Sequence, residues 1–400
     1  MWEDSLNINE VRELRTRSNV YFGVGAINKM AEIAAALKAQ GVNSVLVVAG
    51  KSSYKSTGAW SVVEKALKDN AISWVIYDKV TPNPTTHQVD EAAALGSGAD
   101  AVIAIGGGSP IDAGKSAAIL IANPGKSAQE LYEMQFAPAK ALPIVAINLT
   151  HGTGSETNRF AVVSIPEKDY KPAIAYDCIY PMFAIDDPAL TCGLSPKQTR
   201  YVSIDVVNHV IEAATTIFAS PLTELYGKEA IRLVAKYLPR ALADGNDLKA
   251  RYYLHYASML GGVSFDNGLL HYTHALEHPL SAVEPELSHG LGLAVLLPAV
   301  VKNIYPARAE MLADILEAIV PGLKGTPDEA HAAGKGVENW LFSVGVTEKL
   351  ADLGLGEKDL DRLTDLAYET PGLAGLLASA PTTANRAVVR QIYADSLKAL

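Results

Sequence analysis

The run AVIAI at Ala101–Ile105 passes straight into GGGSPIDAGK. An uninterrupted apolar strand has no solvent face, so it belongs inside a sheet covered on both sides. The chain around it repeats the pattern. Asn19–Phe22 reads as a strand closed by Gly23 and Gly25, Ser44–Val48 as a continuous apolar strand and Trp74–Tyr77 as a third. Helical spacing fills 27–37, 59–67 and 89–95 between them, and a further strand, PIVAI, ends at Ile147. Buried strands alternating with helices predict an α/β, mostly parallel, doubly wound sheet whose ligand lies at the carboxyl ends of the strands.

From about Ser195 the pattern turns helical, over 222–241, 247–280, 306–320, 327–343, 357–369 and 385–399. The expectation is an α/β domain over 1–193 followed by an all-α domain over 194–400, with Gly193 and Pro196 marking the break. A chain of 400 residues, 49% of them apolar, can bury a core in each. The net charge of −10 argues against nucleic acid or an anionic membrane as partner. The longest apolar runs, such as LGLAVLLPAVV from Leu291, read as too short to span a bilayer. The first twenty residues lack an apolar leader core. Cys178 and Cys192 lie outside any CxxC motif and read as structural thiols, so a reduced, cytoplasmic setting is expected.

The glycine run after AVIAI suits close approach of a ligand. Gly106, Gly107 and Gly108 carry no Cβ, Ser109 reads as an N-cap and Pro110 as the first helical residue. The helix start would offer free N–H groups and a positive dipole end, for which a pyrophosphate is the natural occupant. An ordinary strand–turn–helix is the plainer alternative. The coincidence of strand, glycines, cap and proline favours the phosphate in a Rossmann-like α/β domain, although the loop is neither the dinucleotide fingerprint GxGxxG nor a P-loop GxxxxGKS. Asp112 and Lys115 fall in the first turns of that helix. Lys115 either faces the ligand or pairs with Asp112 at the surface. After PIVAI comes NLTHGTGSETNRF, where Thr150, Thr153 and Ser155 supply hydroxyls and Gly152 and Gly154 permissive backbone. Such a loop binds phosphates or amides, or is simply a capped, solvated turn with His151 as a bystander.

Four of the nine histidines lie between His271 and His289, in HYTHALEHPLSAVEPELSHG. Upstream, SIDVVNHVIEA places Asp205 and His209 four apart, on one helical face. His274 and His278 share a face in the same way. One such pair is ordinarily a hydrogen-bonded core pair. Two pairs and a further histidine in one region favour a divalent metal such as Fe²⁺ or Zn²⁺.

GGGSPIDAGK, the GTGSE loop, DVVNH and HALEHP…HG, with FGVGA at Phe22–Ala26 and TPNPT at Thr81–Thr85, occur together and in order. In this the chain resembles the iron-containing (group III) metal-dependent alcohol dehydrogenase family, with its dehydroquinate-synthase-like fold, over nearly its whole length. The resemblance implies an active site in the cleft between a dinucleotide-binding domain and a helical domain. It implies metal ligands at Asp205, His209, His274 and His289, and a catalytic His278 that relays the alcohol proton without ligating metal. Gly106, Gly107, Gly108 and Ser109 match the pyrophosphate loop, Thr150 and Thr153 the cofactor-contacting threonines, and Lys171, more loosely, a lysine near the cofactor. Asp112 falls in the same cofactor region. Phe265 takes the place of an aromatic pocket residue.

The implied reaction is hydride exchange between NAD(P)(H) and a small primary alcohol or its aldehyde. The implied assembly is a homodimer or higher homo-oligomer. The spacing from His278 to His289 is one residue longer than the family pattern, and His271 is an extra histidine, read as packing or supporting rather than ligating. Arg159 in the second loop reads most simply as a surface ion pair, with an acidic substrate as the alternative cause of a charge there. After the second strand the chain has Gly50 where a carboxylate would pair with the ribose of NAD and repel a 2′-phosphate, followed by Lys51, Ser52 and Ser53. NADP(H) is therefore slightly favoured over NAD(H). A dehydroquinate-synthase-like lyase would require a basic pocket, yet Lys228, Arg232, Lys236, Arg240, Lys249 and Arg251 read as an exposed helix face. A glycerol-dehydrogenase-like enzyme shares the fold, and a non-catalytic paralogue would have lost metal ligands that are all present here.

Overall fold

A computed structural model describes residues 13–400. The leader-segment expectation rests mainly on residues 1–12, outside that range. The chain divides into two compact units. One comprises residues 16–195 together with 244–255, and the other chiefly residues 196–243 and 256–400. The expected single division at 193/194 omitted the short return of 244–255. Contacts made there explain it. The Arg251 guanidinium donates to the Gly245 carbonyl at 2.9 Å and the Leu194 carbonyl at 3.3 Å. The Tyr252 ring meets Phe22 edge-on at 4.7 Å, and His255 Nε2 lies 3.1 Å from Asp186 Oδ1.

In the first unit the strands are β1 (Asn19–Phe22), β2 (Ser44–Gly50), β3 (Ser73–Val80), β4 (Ala101–Gly106), β5 (Ile144–Asn148), β6 (Phe160–Val162), β7 (Ala173–Ala175) and β8 (Phe183–Asp186). Among the described residues β1, β8, β5, β4, β2 and β3 form one parallel sheet in that order, and β6 and β7 a small antiparallel pair. The continuous apolar runs β4 and β5 are buried throughout, whereas β3, at the sheet edge, alternates exposed and buried residues. Valines and isoleucines of β2, β4 and β5 point alternately into two cores. Val45, Val47 and Ile103 meet Leu37 and Leu67 on one face, and Leu46, Val48 and Val102 meet Val89 and Ile119 on the other. The chain runs from β2 outward to β3 and then back to β4 on the other side of β2. That reversal makes the carboxyl ends of β2 and β4 the switch point where an open α/β sheet leaves a crevice for a ligand.

β8 carries no strong strand signal, because its four residues, FAID, end in Asp186 and run into Asp187. It is an interior strand nevertheless, because pairing to β1 and β5 supplies the hydrogen bonds that local propensity does not.

The second unit is helical. Its main members for the site are the helices Pro196–Thr215, Tyr272–Val283 and His289–Ile304, with residues 256–268 of the helix Leu248–Gly268. The stretch expected as one helix over 247–280 is two. Leu269 adopts φ 62°, ending the first helix, and His271 caps the second by accepting the Tyr272 N–H at 2.7 Å. Gly268 permits this turn, because a side chain there would strike the Ala213 backbone. The apolar run from Leu291 lies within a longer stretch, His289–Ala307, whose length and composition would suffice to cross a membrane, contrary to the expectation that it is too short. Yet 78% of that window is buried inside the protein, as for a core helix.

Candidate metal and dinucleotide sites

Asp205, His209 and Glu212 occupy one face of the Pro196–Thr215 helix, as spacings of four and three require. The Asp205 carboxylate is nearly fully buried. His209 Nε2 and His274 Nε2 each lie 3.5 Å from Asp205 Oδ1, and His289 Nε2 lies 3.9 Å from it. Asp205 Oδ1 and His274 Nε2 find no hydrogen-bond partner among the described residues. A buried carboxylate oxygen without a partner costs several kcal/mol unless something cationic meets it. Donors around a tetrahedral ion with bonds of 2.0–2.2 Å stand about 3.4 Å apart, close to the separations here. The oxygen and nitrogen donors Asp205, His209, His274 and His289 thus suit a divalent cation. Asp205, His209 and His274 bring one donor atom each within 4.8 Å of one another, and His289 Nε2 comes to 3.9 Å from Asp205 Oδ1 despite the longer spacing before it.

The longer spacing is absorbed locally. His289 is the first residue of its helix, and Gly290 follows it. A Cβ on Gly290 would stand 2.6 Å from the Tyr201 carbonyl carbon and closer still to its oxygen. Glycine therefore lets this helix start directly against the backbone of the Pro196–Thr215 helix, one turn from Asp205.

Two carboxylates brace the histidines, and sequence reasoning missed both. Glu212, fully buried, accepts backbone N–H groups of His271 at 3.0 Å and Thr273 at 2.8 Å through Oε1, while Oε2 contacts His274 Nδ1. It caps the Tyr272–Val283 helix and orients the His274 ring at once. The signal was present in DxxxHxxE, whose glutamate shares the face of the aspartate and histidine. Glu277 contacts His289 Nδ1 in the same way. Burial alone would push the Glu212 carboxyl up, but His274 and the His271 contacts hold it down to about 2. For His274 burial disfavours the cation, yet Glu212 and the Asp205 contact raise it to about 9. Burial pulls His209 down to about 4, against the attraction of Asp205. The three histidines more than offset burial at Asp205, which stays ionised far below the usual carboxylate range.

His278 is buried beside the cluster, its ring centroid 6.4 Å from that of His274 and 5.8 Å from that of His289. Phe265 stacks on His209 at 4.5 Å, walling the cluster on one side. His271 is a packing residue. Its Nε2 meets the Thr215 hydroxyl at 2.9 Å, and burial lowers its pKa to about 4.

In the first unit the glycine loop lies under the second loop. A Cβ on Gly107 would sit 2.8 Å from Thr150 Oγ1, and one on Gly108 2.5 Å from Thr153 Cγ2. The two threonines therefore cover the loop, and Gly50, at the end of β2, borders Pro110 across the switch point. The helix begins at Gly108 with Gly107 as its cap, so Ser109 is not the N-cap expected but lies inside the first turn with Pro110. The flexible glycines let the helix start two residues earlier, and proline is tolerated because first-turn N–H groups have no intrahelical partner.

Lys115 is neither at the surface nor aimed at a ligand. Its buried ammonium donates to the carbonyls of Ser155 at 2.6 Å, Phe160 at 2.7 Å and Asn158 at 2.9 Å. Asp112 accepts the Ser155 hydroxyl at 2.6 Å and the Val162 N–H at 2.9 Å, so both oxygens brace the second loop instead of facing the cofactor. Burial raises its carboxyl, partly offset by Lys115 and by the charge of buried Lys171. Arg159 pairs with Asp177 at 2.9 Å. Of the six basic residues read as an exposed face, Arg251 is fully buried and holds backbone carbonyls, while the other five are exposed.

The family model for iron-containing alcohol dehydrogenase matches residues 17–188, and that for the C-terminal part of the Fe-containing alcohol dehydrogenase family matches residues 199–397. A long-chain primary alcohol dehydrogenase of Thermoanaerobacter ethanolicus is 58% identical over 398 residues, covering 99% of this chain and 100% of that protein. A 1,3-propanediol dehydrogenase of Klebsiella pneumoniae is 33% identical, over 87% of this chain and 90% of its own. The solved structure of an NADH-dependent butanol dehydrogenase from Thermotoga maritima superposes with a TM-score of 0.88 at 27% identity, covering 97% of this chain and 99% of that one. The chain belongs to the iron-containing alcohol dehydrogenase family and is an alcohol dehydrogenase, an oxidoreductase acting on CH–OH groups.

Proposed function

We propose that Asp205, His209, His274 and His289 hold one divalent cation, Fe²⁺ with Zn²⁺ as the alternative, and that the enzyme interconverts primary alcohols and aldehydes with NADP(H) used in preference to NAD(H). The observation that carries the site is the buried, partnerless Asp205 Oδ1 ringed by three imidazole nitrogens at 3.5–3.9 Å. When bound, the cation supplies Lewis acidity for an alcohol or carbonyl oxygen, and the nicotinamide supplies or takes the hydride. Phe265 and the buried rings around the site exclude water. His278 holds the proton that an alcohol hydroxyl gives up on oxidation and that a carbonyl oxygen takes up on reduction. Glu212 keeps the His274 proton on Nδ1, leaving Nε2 free to ligate.

The glycine loop at Gly106–Gly108 with Ser109, roofed by Thr150 and Thr153, receives the pyrophosphate, and Lys171 supplies nearby positive charge. The preference for NADP(H) is supported by Gly50, which brings no carboxylate, and by exposed Lys51, Ser52 and Ser53 beside it. Primary alcohols are supported by the name of the 58% identical relative, which also makes long-chain substrates the first to try. Exposed Ile217, Phe218 and Leu225 favour a homo-oligomer. The half-buried thiols Cys178 and Cys192, which form no disulfide among the described residues, favour a cytoplasmic setting. A panel of aldehydes of rising chain length, assayed with equal NADPH and NADH after elemental analysis of the protein, tests the reading. Equal or better turnover with NADH throughout removes the NADP(H) preference, and protein active without bound metal removes the site.

A further inference from the structure

Glu277 stands on the Tyr272–Val283 helix between His274 and His278, and its side chain is fully buried. A buried carboxylate is costly unless its oxygens are engaged. Here Oε1 accepts the Ser281 hydroxyl and Oε2 meets His289 Nδ1. The other nitrogen of that ring, Nε2, faces Asp205 Oδ1 at 3.9 Å. The two nitrogens of His289 are thus divided between a carboxylate and the cluster, as Glu212 and Asp205 divide those of His274. A second residue has adapted to this carboxylate. Gly292, one turn into the His289–Ile304 helix, is buried, and a Cβ there would lie 2.8 Å from Glu277 Cγ and 2.9 Å from Oε1.

We propose that Glu277 is a positioning residue for the metal site: its carboxylate holds the Nδ1–H of His289 so that Nε2 presents its lone pair to the cation, and Gly292 is glycine because the carboxylate fills the room a side chain would take. The inference rests on the reading of His289 as the fourth ligand. A carboxylate hydrogen-bonded to a ligating imidazole fixes its tautomer and ring plane, and its loss lowers metal affinity by about 10–100-fold. Glu277, His278 and His289 also place one donor atom each within 4.8 Å of one another. A second cation there would have to displace the Glu277–His289 hydrogen bond, so the bond is the better account of their closeness.

The test uses the full chain, stripped of metal and titrated with Zn²⁺ against a chromophoric chelator and with Co²⁺ by its visible absorption. Unaltered protein is compared with Glu277→Gln, Gly292→Ala, the double variant and His289→Ala, and the melting temperature of each metal-free form is recorded. Glu277→Gln should bind Zn²⁺ about 10–100-fold more weakly and shift the Co²⁺ bands, with its metal-free melting temperature almost unchanged. Gly292→Ala should weaken binding through the displaced carboxylate, and the double variant should lose less than the product of the two single losses. Should Glu277→Gln not fold, Gly292→Ala carries the same expectation alone. Unaltered affinity and spectrum in Glu277→Gln and Gly292→Ala, with metal lost in His289→Ala, overturn the inference and leave the site reading standing. Tight binding by His289→Ala overturns both. Two ions per unaltered chain, with one lost in Glu277→Gln, would make Glu277 a ligand and likewise overturn its positioning role.

Discussion

Gly290→Ala sets two effects against each other with opposite signs. Gly290 is helical, so intrinsic propensity alone has the alanine variant more stable by about 1 kcal/mol. The structure gives the opposite. The new Cβ would lie 2.6 Å from the Tyr201 carbonyl carbon and 2.9 Å from the Tyr201 Cβ. Carbon atoms attract best at about 3.5–4.0 Å, so the helix start must retreat by about 1 Å. The main obstacle is backbone, which cannot turn aside as a side chain does. The overpacking cost therefore falls near the top of its usual range, about 3 kcal/mol. The net loss is about 2 kcal/mol, a fall of roughly 4–8 °C for a unit of this size. His289 moves with the helix start, and a misplacement of about 1 Å at a reacting centre costs about 100-fold in turnover. Calorimetry and steady-state kinetics on the metal-loaded variant read both effects, with NAD(P)H binding as the control that should not change. A variant as stable as the parent, with normal turnover, would refute the close approach of the two backbones as the reason for the glycine.

Other substitutions separate the roles of the remaining residues. His278→Ala should keep the metal while lowering turnover by about 100-fold or more and removing one limb of the pH–rate profile; an unchanged profile rules out the proton role. Glu212→Gln keeps an acceptor for the Thr273 N–H but turns an amide toward His274 Nδ1. The tautomer then reverses, and metal affinity should fall by about 10–100-fold in a chelator competition. Away from the site, buried Glu338 holds Lys335, Lys349 and the Leu400 N–H. Burial would raise its carboxyl, but the two lysines hold it below the usual range. Its contribution is therefore full above about pH 4.5 and is lost as pH falls through the lowered value. Glu338→Gln should cost about 3 kcal/mol at pH 7, and denaturant melts should show the gap closing as pH falls below about 4.5. Lys51→Ala should raise KM for NADPH by several-fold with little change for NADH; equal effects on both would remove the contact with the 2′-phosphate.

The parts legible in the sequence were those set by local pattern. The apolar runs at β2, β4 and β5 announce a buried parallel sheet because no other environment suits them. Asp205 with His209, and His274 with His278, are visible because four-residue spacing alone places each pair on one face. What stayed hidden depends on distant partners. β8 is a strand only because β1 and β5 flank it. Leu269 breaks a helical run whose sole local stop signal is Asn267-Gly268, and the break falls there because Gly268 must pass the Ala213 backbone. Lys115 looked like a ligand-facing or surface lysine, and only the second loop, some forty residues on, supplies the carbonyls that bury it. Glu212 and Glu277 were in plain view within the motifs. Their function follows from which ring nitrogen each carboxylate touches, and spacing does not encode that.

The central claim is that one buried carboxylate and three imidazoles form the metal site on which turnover depends. Metal content per chain, measured by elemental analysis for the unaltered protein and for Asp205→Ala, tests it most directly, with alcohol turnover and NAD(P)H binding recorded on the same samples. The account predicts one Fe²⁺ or Zn²⁺ per unaltered chain and loss of both metal and turnover in Asp205→Ala, while the dinucleotide still binds. An Asp205→Ala protein that retains its metal and turns over alcohol at the parental rate contradicts it.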